Sequence, residues 1–174
     1  KFKLANKNIG QSEPVYFIAD IAANHDGKLS QALDLITAAK DAGADAAKFQ
    51  HFNANSIVSD IGFKNLGSKF SHQKKWKKSI FETYQDASID LKWTDQLKNR
   101  CDKVGIEFCS TPYAFDLTDH LDKYVNFYKI GSGDITWIDM LEYVSRKGKP
   151  VILSTGASDI LEAVSYTHLT LPTT

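Results

Sequence analysis

The sequence predicts an α/β protein built on a parallel sheet, and three observations lead to this prediction. Apolar, β-rich segments alternate with segments of helical periodicity, at intervals of roughly 25 to 55 residues. Each apolar segment stops at a charged, hydroxyl or glycine residue. Parallel strands place such ends together at one face, where α/β enzymes hold their active sites. The pattern therefore predicts an active site as well as a fold.

The composition excludes several kinds of partner. The chain has 174 residues, enough for one domain with a core, and 21 basic residues balance 21 acidic ones. With balanced charge, no global field recruits nucleic acid or a membrane. No apolar stretch approaches the ~20 residues of a membrane span, and the first residues are too polar for a secretory signal. We therefore expect a cytoplasmic protein in which Cys101 and Cys109 stay reduced.

The chain is expected to begin with a small hairpin over residues 1–12, which alternate in polarity around Asn6-Lys7-Asn8. The first parallel strand is predicted over residues 15–21, a continuous apolar run with one acid near its end. A helix follows, with Ser30 as its N-cap and Ala42-Gly43 at its end.

The later elements repeat this alternation of strand and helix. The other predicted strands cover residues 46–52, 106–110, 126–130 and 150–154. The other predicted helices cover residues 93–104, 118–124 and 137–146. Right-handed crossovers between parallel strands would place all the strand ends on one side.

Residues 53–89 are predicted to be a long irregular stretch. It contains the strongest charge run of the chain, Lys74-Lys75-Trp76-Lys77-Lys78. One interpretation is an anion or nucleic-acid patch, and the favoured one is a solvated helix face with Trp76 turned inward. A loop of this length after a strand could also serve as a lid or an oligomer contact.

Residues 164–174 break the pattern. A helix should be under way at residues 159–163, but the sequence becomes threonine-rich, with neither a cap nor helical periodicity. We interpret this segment as a translated sequencing-adapter tail, beyond which the natural coding sequence continues; a disordered natural C-terminus is the alternative. Five strands cannot close an eight-stranded barrel, which takes about 250 residues, so we expect the chain alone to aggregate.

The strand ends carry the residues of an anion site. Lys48 and Lys129 lie near the ends of two buried strands, where an ammonium group requires an anionic partner. Ser132 lies in Gly131-Ser132-Gly133, and Ser154 begins a similar turn, so backbone N–H groups and hydroxyls could bind a phosphate. The alternative for each lysine is a structural ion pair with a neighbouring aspartate.

Asp20 and Asp134 are the candidate acid–base groups. Each follows an apolar strand, where partial desolvation would move its titration towards working pH. The alternatives are structural: Asp20 would cap the turn at Asn24, and Asp134 would be the N-cap of the helix that follows.

One histidine lies in a motif, Asn24-His25-Asp26-Gly27. A metal site would need further ligands at suitable spacing, and the sequence presents no such set. An ordering role for Asn24 and His25 in this loop is the favoured interpretation.

Five collinear motifs resemble the sialic acid synthases, also called N-acetylneuraminate synthases. The resemblance runs from about residue 2 to 163. The motifs occupy residues 19–27, 42–50, 110–112, 128–133 and 148–156. The resemblance implies a (β/α)8 TIM barrel, of which residues 13–163 are an incomplete part with about five parallel strands. It also implies a C-terminal antifreeze-like domain and a homodimer.

The resemblance implies condensation of phosphoenolpyruvate with N-acetylmannosamine or a related amino sugar, with phosphate released by C–O cleavage. It also implies a divalent metal, Mn²⁺ or Mg²⁺, held by histidines on strands beyond this chain. Two other functions remain open on the residues alone: a Schiff-base aldolase using Lys48 or Lys129, and a non-catalytic anion-binding module.

Carried over position by position, the resemblance assigns roles to seven residues. Those that match phosphoenolpyruvate ligands are Lys48, Lys129, Ser132 and Ser154. Gln50 matches a glutamine that contacts substrate. Asp20 and Asp134 match two active-site acids that are commonly glutamates in the family, so each side chain here is one methylene shorter.

Overall fold

Strands and helices alternate along the chain, as the sequence predicts. The computed structural model describes residues 2–66 and 76–167. The strands are β1 (Phe2–Leu4), β2 (Lys7–Ile9), β3 (Ile18–Ala22), β4 (Ala46–His51), β5 (Glu107–Pro112), β6 (Tyr128–Ile130) and β7 (Val151–Leu153). The helices are α1 (Leu29–Asp41), α2 (Ala54–Ile57), α3 (Asp60–Leu66), α4 (Ile80–Ala87), α5 (Thr94–Val104), α6 (Phe115–Asp122), α7 (Ile138–Ser145) and α8 (Ile160–Thr167).

The strands from β3 to β7 form the parallel part of the structure. β3, β4 and β5 pair in that order in parallel, and β6 pairs with β7 in parallel. β6 lies beside β5, and at their start Asn126 Nδ2 donates to Glu107 Oε1 at 2.9 Å. Spatial order thus follows chain order, which confirms an incomplete barrel of five strands. β1 and β2 form the predicted antiparallel hairpin in front of it.

The first parallel strand is shorter than predicted. β3 begins at Ile18, and Val15 and Phe17 are exposed. The side chain of Asp45 explains the late start, because its Oδ2 accepts the backbone N–H of Phe17 at 2.7 Å. A carboxylate therefore takes the place of the backbone partner that an earlier strand residue would need.

The main core lies between the helices and the outer face of the sheet. Phe49 and Phe108 on β4 and β5 are buried there with ring centroids 5.9 Å apart, against Ile36 of α1 and Leu97 of α5. α5 stops at Gly105, whose left-handed conformation (φ +74°) favours glycine. Because side chains alternate along a strand, burying these residues outward turns their neighbours towards the barrel interior.

A second, smaller cluster lies on the inner face near the strand starts. Leu4 of the hairpin is buried there with Ala46, Cys109 and Phe127. The hairpin therefore covers the bottom of the incomplete barrel. Both cysteines are buried and free, as expected, and burial raises the pKa of Cys101 to about 12.

Two helix predictions were wrong in their boundaries. α1 begins at Leu29, and the residue before it, Lys28, makes no side-chain capping bond, so Ser30 lies inside the first turn. The helix predicted over residues 118–124 is α6, which begins at Phe115. Thr118 resembles a start signal in the sequence, but its buried hydroxyl instead donates to Ala114 O, at 3.1 Å, within the helix.

The stretch predicted to be irregular contains α2, α3 and α4. Asn53 with Ser56 and Ser79 with Glu82 form reciprocal capping boxes at the starts of α2 and α4. Lys74 and Lys75 lie outside the described residues. Residues 76–78 are not helical, so the solvated-helix interpretation was wrong for this part.

The C-terminal end of the described chain remains helical for longer than expected. α8 extends to Thr167, so the expected loss of helix after residue 163 was wrong. The adapter origin of residues 164–174 stays a prediction. None of the helices in the described part of the chain is long and apolar enough to cross a membrane.

Candidate active site

The inner face of the sheet brings together the predicted strand-end residues. Asp20 on β3 pairs in register with Lys48 on β4, and Lys48 pairs with Cys109 on β5. Cys109 belongs to the inner cluster, so these three positions face the barrel interior. Lys129 stands two residues beyond Phe127 of the same cluster and faces the same way.

Lys48 and Asp20 form an ion pair. Lys48 Nζ lies 2.6 Å from Asp20 Oδ1; the lysine side chain is 5% exposed, and the aspartate side chain is 64% exposed. The expectation of a partly desolvated Asp20 was therefore wrong for this chain. β3 is the edge of the sheet, so water reaches its carboxylate. For Lys48, the structural ion pair that was the alternative interpretation is present.

Lys129 is half-buried in a positive environment. Burial lowers its pKa, and the neighbouring charge of Lys48 lowers it further, while Asp20 and Asp134 partly offset the shift. Within residues 2–66 and 76–167, Lys129 has no salt bridge. Two ammonium groups that repel each other across a partly desolvated surface have the charge that an anion of more than one charge would complement.

Asp134 sits in a short 3₁₀ turn, Ser132–Asp134, directly after β6. It does not cap the next helix, whose N-cap position is Trp137, so that alternative was wrong. Burial raises the pKa of Asp134, and the charge of Lys129 partly opposes the rise. The raised pKa makes Asp134 easier to protonate than an ordinary aspartate, which is the property expected of a candidate acid–base group.

Gly131 lies against the side chains of both Asp134 and Tyr113. A Cβ at position 131 would lie 3.0 Å from Asp134 Oδ2 and 3.5 Å from Tyr113 Oη. On its other side, Tyr113 Oη accepts a hydrogen bond from Gln50 Nε2 at 3.0 Å. Burial raises the pKa of Tyr113 to about 12, so its hydroxyl keeps its proton and acts as a donor.

The two serine turns adjoin one another at the ends of β6 and β7. The Ser154 N–H donates to Ile130 O at 3.2 Å, which extends the pairing of these strands past β7. A Cβ at Gly156 would lie 3.9 Å from Ser132 Cβ. The structure thus places Ser132 beside the turn that follows Ser154, at the end of β6, the strand that carries Lys129.

Two candidate residues were missed from the sequence. Thr111 is buried, and its hydroxyl has no hydrogen-bond partner among the described residues. It stands two residues beyond Cys109, so strand alternation alone could have placed it on the inner face. Tyr113 follows directly after β5, and no sequence signal indicated its contact with Gln50.

The loop after β3 has the ordering contacts expected of it. Asn24 Nδ2 donates to Ile21 O at 2.9 Å, and His25 Nδ1 accepts the Gly27 N–H at 3.1 Å. In the described residues, no group of three or more histidine, cysteine, aspartate or glutamate side chains could hold a metal ion. The divalent metal that the family resemblance implies therefore does not fit the residues described in this chain.

A buried hydrogen-bond chain fixes the end of β4 from the outer side. Thr94 Oγ1 donates to Leu91 O at 2.9 Å and lies 3.2 Å from His51 Nε2 and 2.9 Å from His120 Nε2. Since the hydroxyl proton is used, both ring nitrogens must donate to Thr94. Burial lowers the pKa of His51 to about 3, so the ring is neutral, and its Nδ1 accepts from Ser110 Oγ at 2.8 Å.

Comparison with known proteins identifies the family of this chain. The chain matches the NeuB family over residues 35–170. It is 37% identical over 162 residues to the spore coat polysaccharide biosynthesis protein SpsE of Bacillus subtilis, covering 91% of this chain and 42% of that protein. It is 34% identical over 159 residues to the N,N'-diacetyllegionaminic acid synthase of Legionella pneumophila, covering 88% of this chain and 43% of that protein.

A solved structure gives the same result. The N-acetylneuraminic acid synthetase of Leptospira borgpetersenii, in complex with citrate, superposes with a TM-score of 0.79 at 32% identity, covering 95% of this chain and 53% of that one. The chain spans less than half the length of the curated relatives described above. Because the family match includes most of its residues, the resemblance seen in the sequence is confirmed: the chain belongs to the NeuB family.

Proposed function

We propose that this chain forms the phosphoenolpyruvate-binding part of a larger enzyme that condenses phosphoenolpyruvate with an N-acyl amino sugar. The observation that carries the proposal is the pair of lysines, Lys48 on β4 and Lys129 on β6, which face the barrel interior on either side of β5. Phosphoenolpyruvate carries a phosphate and a carboxylate, and two ammonium groups, one buried and one half-buried, match this charge. Ser132, Ser154 and Thr111 would supply hydroxyl donors.

In the proposed reaction, C3 of phosphoenolpyruvate attacks the aldehyde carbon of the open-chain sugar, and the aldehyde oxygen takes up a proton. Water adds at C2 and loses a proton. The resulting tetrahedral intermediate expels phosphate by breaking the C2–O bond to phosphorus, and the proton of the C2 hydroxyl passes to the leaving phosphate, which leaves an α-keto acid. Asp134, with its raised pKa, is the candidate to transfer one of these protons.

Asp20 and Gln50 have supporting roles in this proposal. Asp20 holds Lys48 in place until the anion arrives, and then offers its exposed carboxylate to the sugar. Gln50 contacts substrate through the amide that also binds Tyr113. Because the described residues do not fit a metal, no step is assigned to one, and a catalytic Mn²⁺ or Mg²⁺ would be bound by other parts of the complete enzyme.

The wider properties implied by the family resemblance belong to the same proposal. They are a closed (β/α)8 barrel, a C-terminal antifreeze-like domain and a homodimer. The cytoplasmic location expected from the composition is proposed with them. The acceptor is N-acetylmannosamine or a related amino sugar.

Phosphate release by the complete enzyme tests the proposal. We expect release from phosphoenolpyruvate only when an N-acyl hexosamine is present, and we expect Lys129→Met and Ser132→Ala to reduce it strongly. Full activity in either variant would contradict the site assignment.

A Schiff-base aldolase is the second candidate, because burial and Lys48 lower the pKa of Lys129, as an amine nucleophile requires. Borohydride trapping separates the two reactions. A pyruvate adduct on Lys129 would favour the aldolase, and no adduct is expected here. A protein that binds phosphoenolpyruvate but releases no phosphate with any acceptor would instead be an anion-binding module.

A further inference from the structure

An aromatic cavity lies beside the strand-end cluster, at the mouth of the incomplete barrel. Its volume is about 230 Å³, and Gln50 and Tyr113 line one side of it. An apolar cavity of about 150 Å³ already holds a benzene-sized molecule, so this one has room for a substituent of similar size.

The walls of the cavity are a continuous series of aromatic rings. The centroid of Phe52 lies 6.0 Å from that of Tyr113 and 5.6 Å from that of Tyr84, and Tyr84 lies 6.4 Å from Trp76. All four residues line the cavity, together with Ile57 at the end of α2. Such walls favour an apolar group and disfavour a free hydroxyl or a charge.

The polar side of the cavity is formed by Gln50 and Tyr113, which are hydrogen-bonded to each other. Tyr113 Oη accepts from Gln50 Nε2, which leaves the tyrosine proton free to donate to a ligand. A secondary amide carries one carbonyl acceptor and one N–H, next to an apolar tail. An N-acyl group therefore fits both sides of the cavity, because its carbonyl can accept from Tyr113 while its tail packs against the aromatic rings. A sugar hydroxyl would meet only the polar side.

We propose that this cavity receives the N-acyl group of the acceptor sugar and sets which acyl lengths the enzyme accepts. The inference rests on the proposed function and deepens it, because Gly131 lies against both Tyr113 and the candidate acid–base group Asp134. The acyl group would dock at Tyr113 while the aldehyde lies towards Asp134 and Lys48. Ile57, Phe52 and Tyr84 would then determine specificity without taking part in the chemistry.

The test compares two isoleucine variants of the complete enzyme. Ile57 lines the cavity, and Ile57→Ala enlarges it at a helix end that the Asn53–Ser56 capping box keeps in place. Ile61 is 73% exposed on α3 and does not line the cavity, so Ile61→Ala makes the same chemical change elsewhere. The readout is kcat/KM for hexosamines carrying N-acetyl and N-butanoyl groups.

We expect Ile57→Ala to raise the ratio of N-butanoyl to N-acetyl kcat/KM at least tenfold, because one methylene in an apolar pocket is worth about tenfold or more. Ile61→Ala should leave this ratio within about twofold. Tyr113→Phe should raise KM for the N-acetyl sugar about tenfold or more and leave KM for phosphoenolpyruvate unchanged.

The outcomes separate the inference from the proposed function. If the unaltered enzyme is active but both isoleucine variants keep its acyl preference, the cavity assignment is wrong and the proposed function stands. If the unaltered enzyme releases no phosphate with any N-acyl hexosamine, both are wrong.

Discussion

Lys48 and Asp20 occupy paired positions on neighbouring parallel strands, and Lys48 Nζ lies 2.6 Å from Asp20 Oδ1. The pair is asymmetric, because the lysine is buried and the aspartate is exposed. Water can solvate the aspartate when the pair opens, whereas the lysine needs another anion. The geometry therefore suits an exchange in which substrate replaces Asp20 as the partner of Lys48.

Replacing Lys48 by Met should abolish this exchange with little effect on folding. Met fills a similar volume, and the remaining Asp20 stays solvated. We expect kcat/KM for phosphoenolpyruvate to fall about 100-fold, as for a buried charged contact worth about 3 kcal/mol. Lys64→Met is the matched control, because Lys64 forms an exposed pair with Asp60. Equal losses in the two variants would contradict the role given to Lys48.

Gly131→Ala should impair catalysis through Asp134. The new Cβ would stand 3.0 Å from Asp134 Oδ2, so the carboxylate must shift by a few tenths of an ångström. We expect kcat to fall about tenfold, because small displacements of a reacting group are costly. Gly133→Ala, in the same loop, adds a Cβ that meets no atom within 4 Å and should cost far less. The measurement is kcat for the two variants. A larger loss in Gly133→Ala than in Gly131→Ala would contradict this placement of Asp134.

Much of this site could be predicted from the sequence. The features that could not be predicted depend on tertiary contacts. Strand alternation places Lys48 and Lys129 on one face, because the outward positions are apolar. The exposure of Asp20 depends on the position of β3 at the edge of the sheet, and no local sequence pattern indicates that position. The contact of Tyr113 with Gln50 depends on how the end of β5 meets β4.

The secondary structure was also predicted only in part. The helical periodicity of α5 and its end at Gly105 are local signals, and both were predicted. The helices within residues 53–89 were missed, although the capping boxes at Ser79 and Asn53 are local as well. These helices are short, so their hydrophobic periodicity is weak, and α2 and α4 could have been identified only from their capping boxes.

Asp134→Asn should change how stability depends on pH. Because the folded-state pKa of Asp134 is raised, the folded protein binds this proton more tightly than the unfolded chain. The free energy of unfolding therefore falls as pH rises from about 4 through the raised pKa. We expect the variant to lack this fall and to be the more stable protein at pH 7, measured by urea midpoints.

Asp119 provides the opposite case as a control. Hydrogen bonds from Lys147 and Tyr143 lower the pKa of Asp119, so its contribution is present at neutral pH and lost in acid. Asp119→Asn should therefore be less stable than the unaltered protein at pH 7. A stability profile for Asp134→Asn that resembles that of Asp119→Asn would contradict the buried position of Asp134.

His51→Gln should reduce the loss of stability in acid. Burial, with smaller effects from His120 and His25, lowers the pKa of His51 to about 3. The unfolded chain gains this proton near pH 6.5 and the folded protein does not, so stability falls as pH drops from about 6.5 towards 3. The variant should show a smaller fall between pH 7 and pH 5 in urea midpoints, and an unchanged fall would exclude a buried neutral His51.

Isotope labelling tests the central claim most directly. The complete enzyme would be given an N-acyl hexosamine and phosphoenolpyruvate labelled with ¹⁸O in the bridge between C2 and phosphorus. If the strand-end cluster serves the proposed condensation, the released phosphate carries the label, and release requires the sugar. Phosphate without the label, or release that is independent of the sugar, would contradict the account.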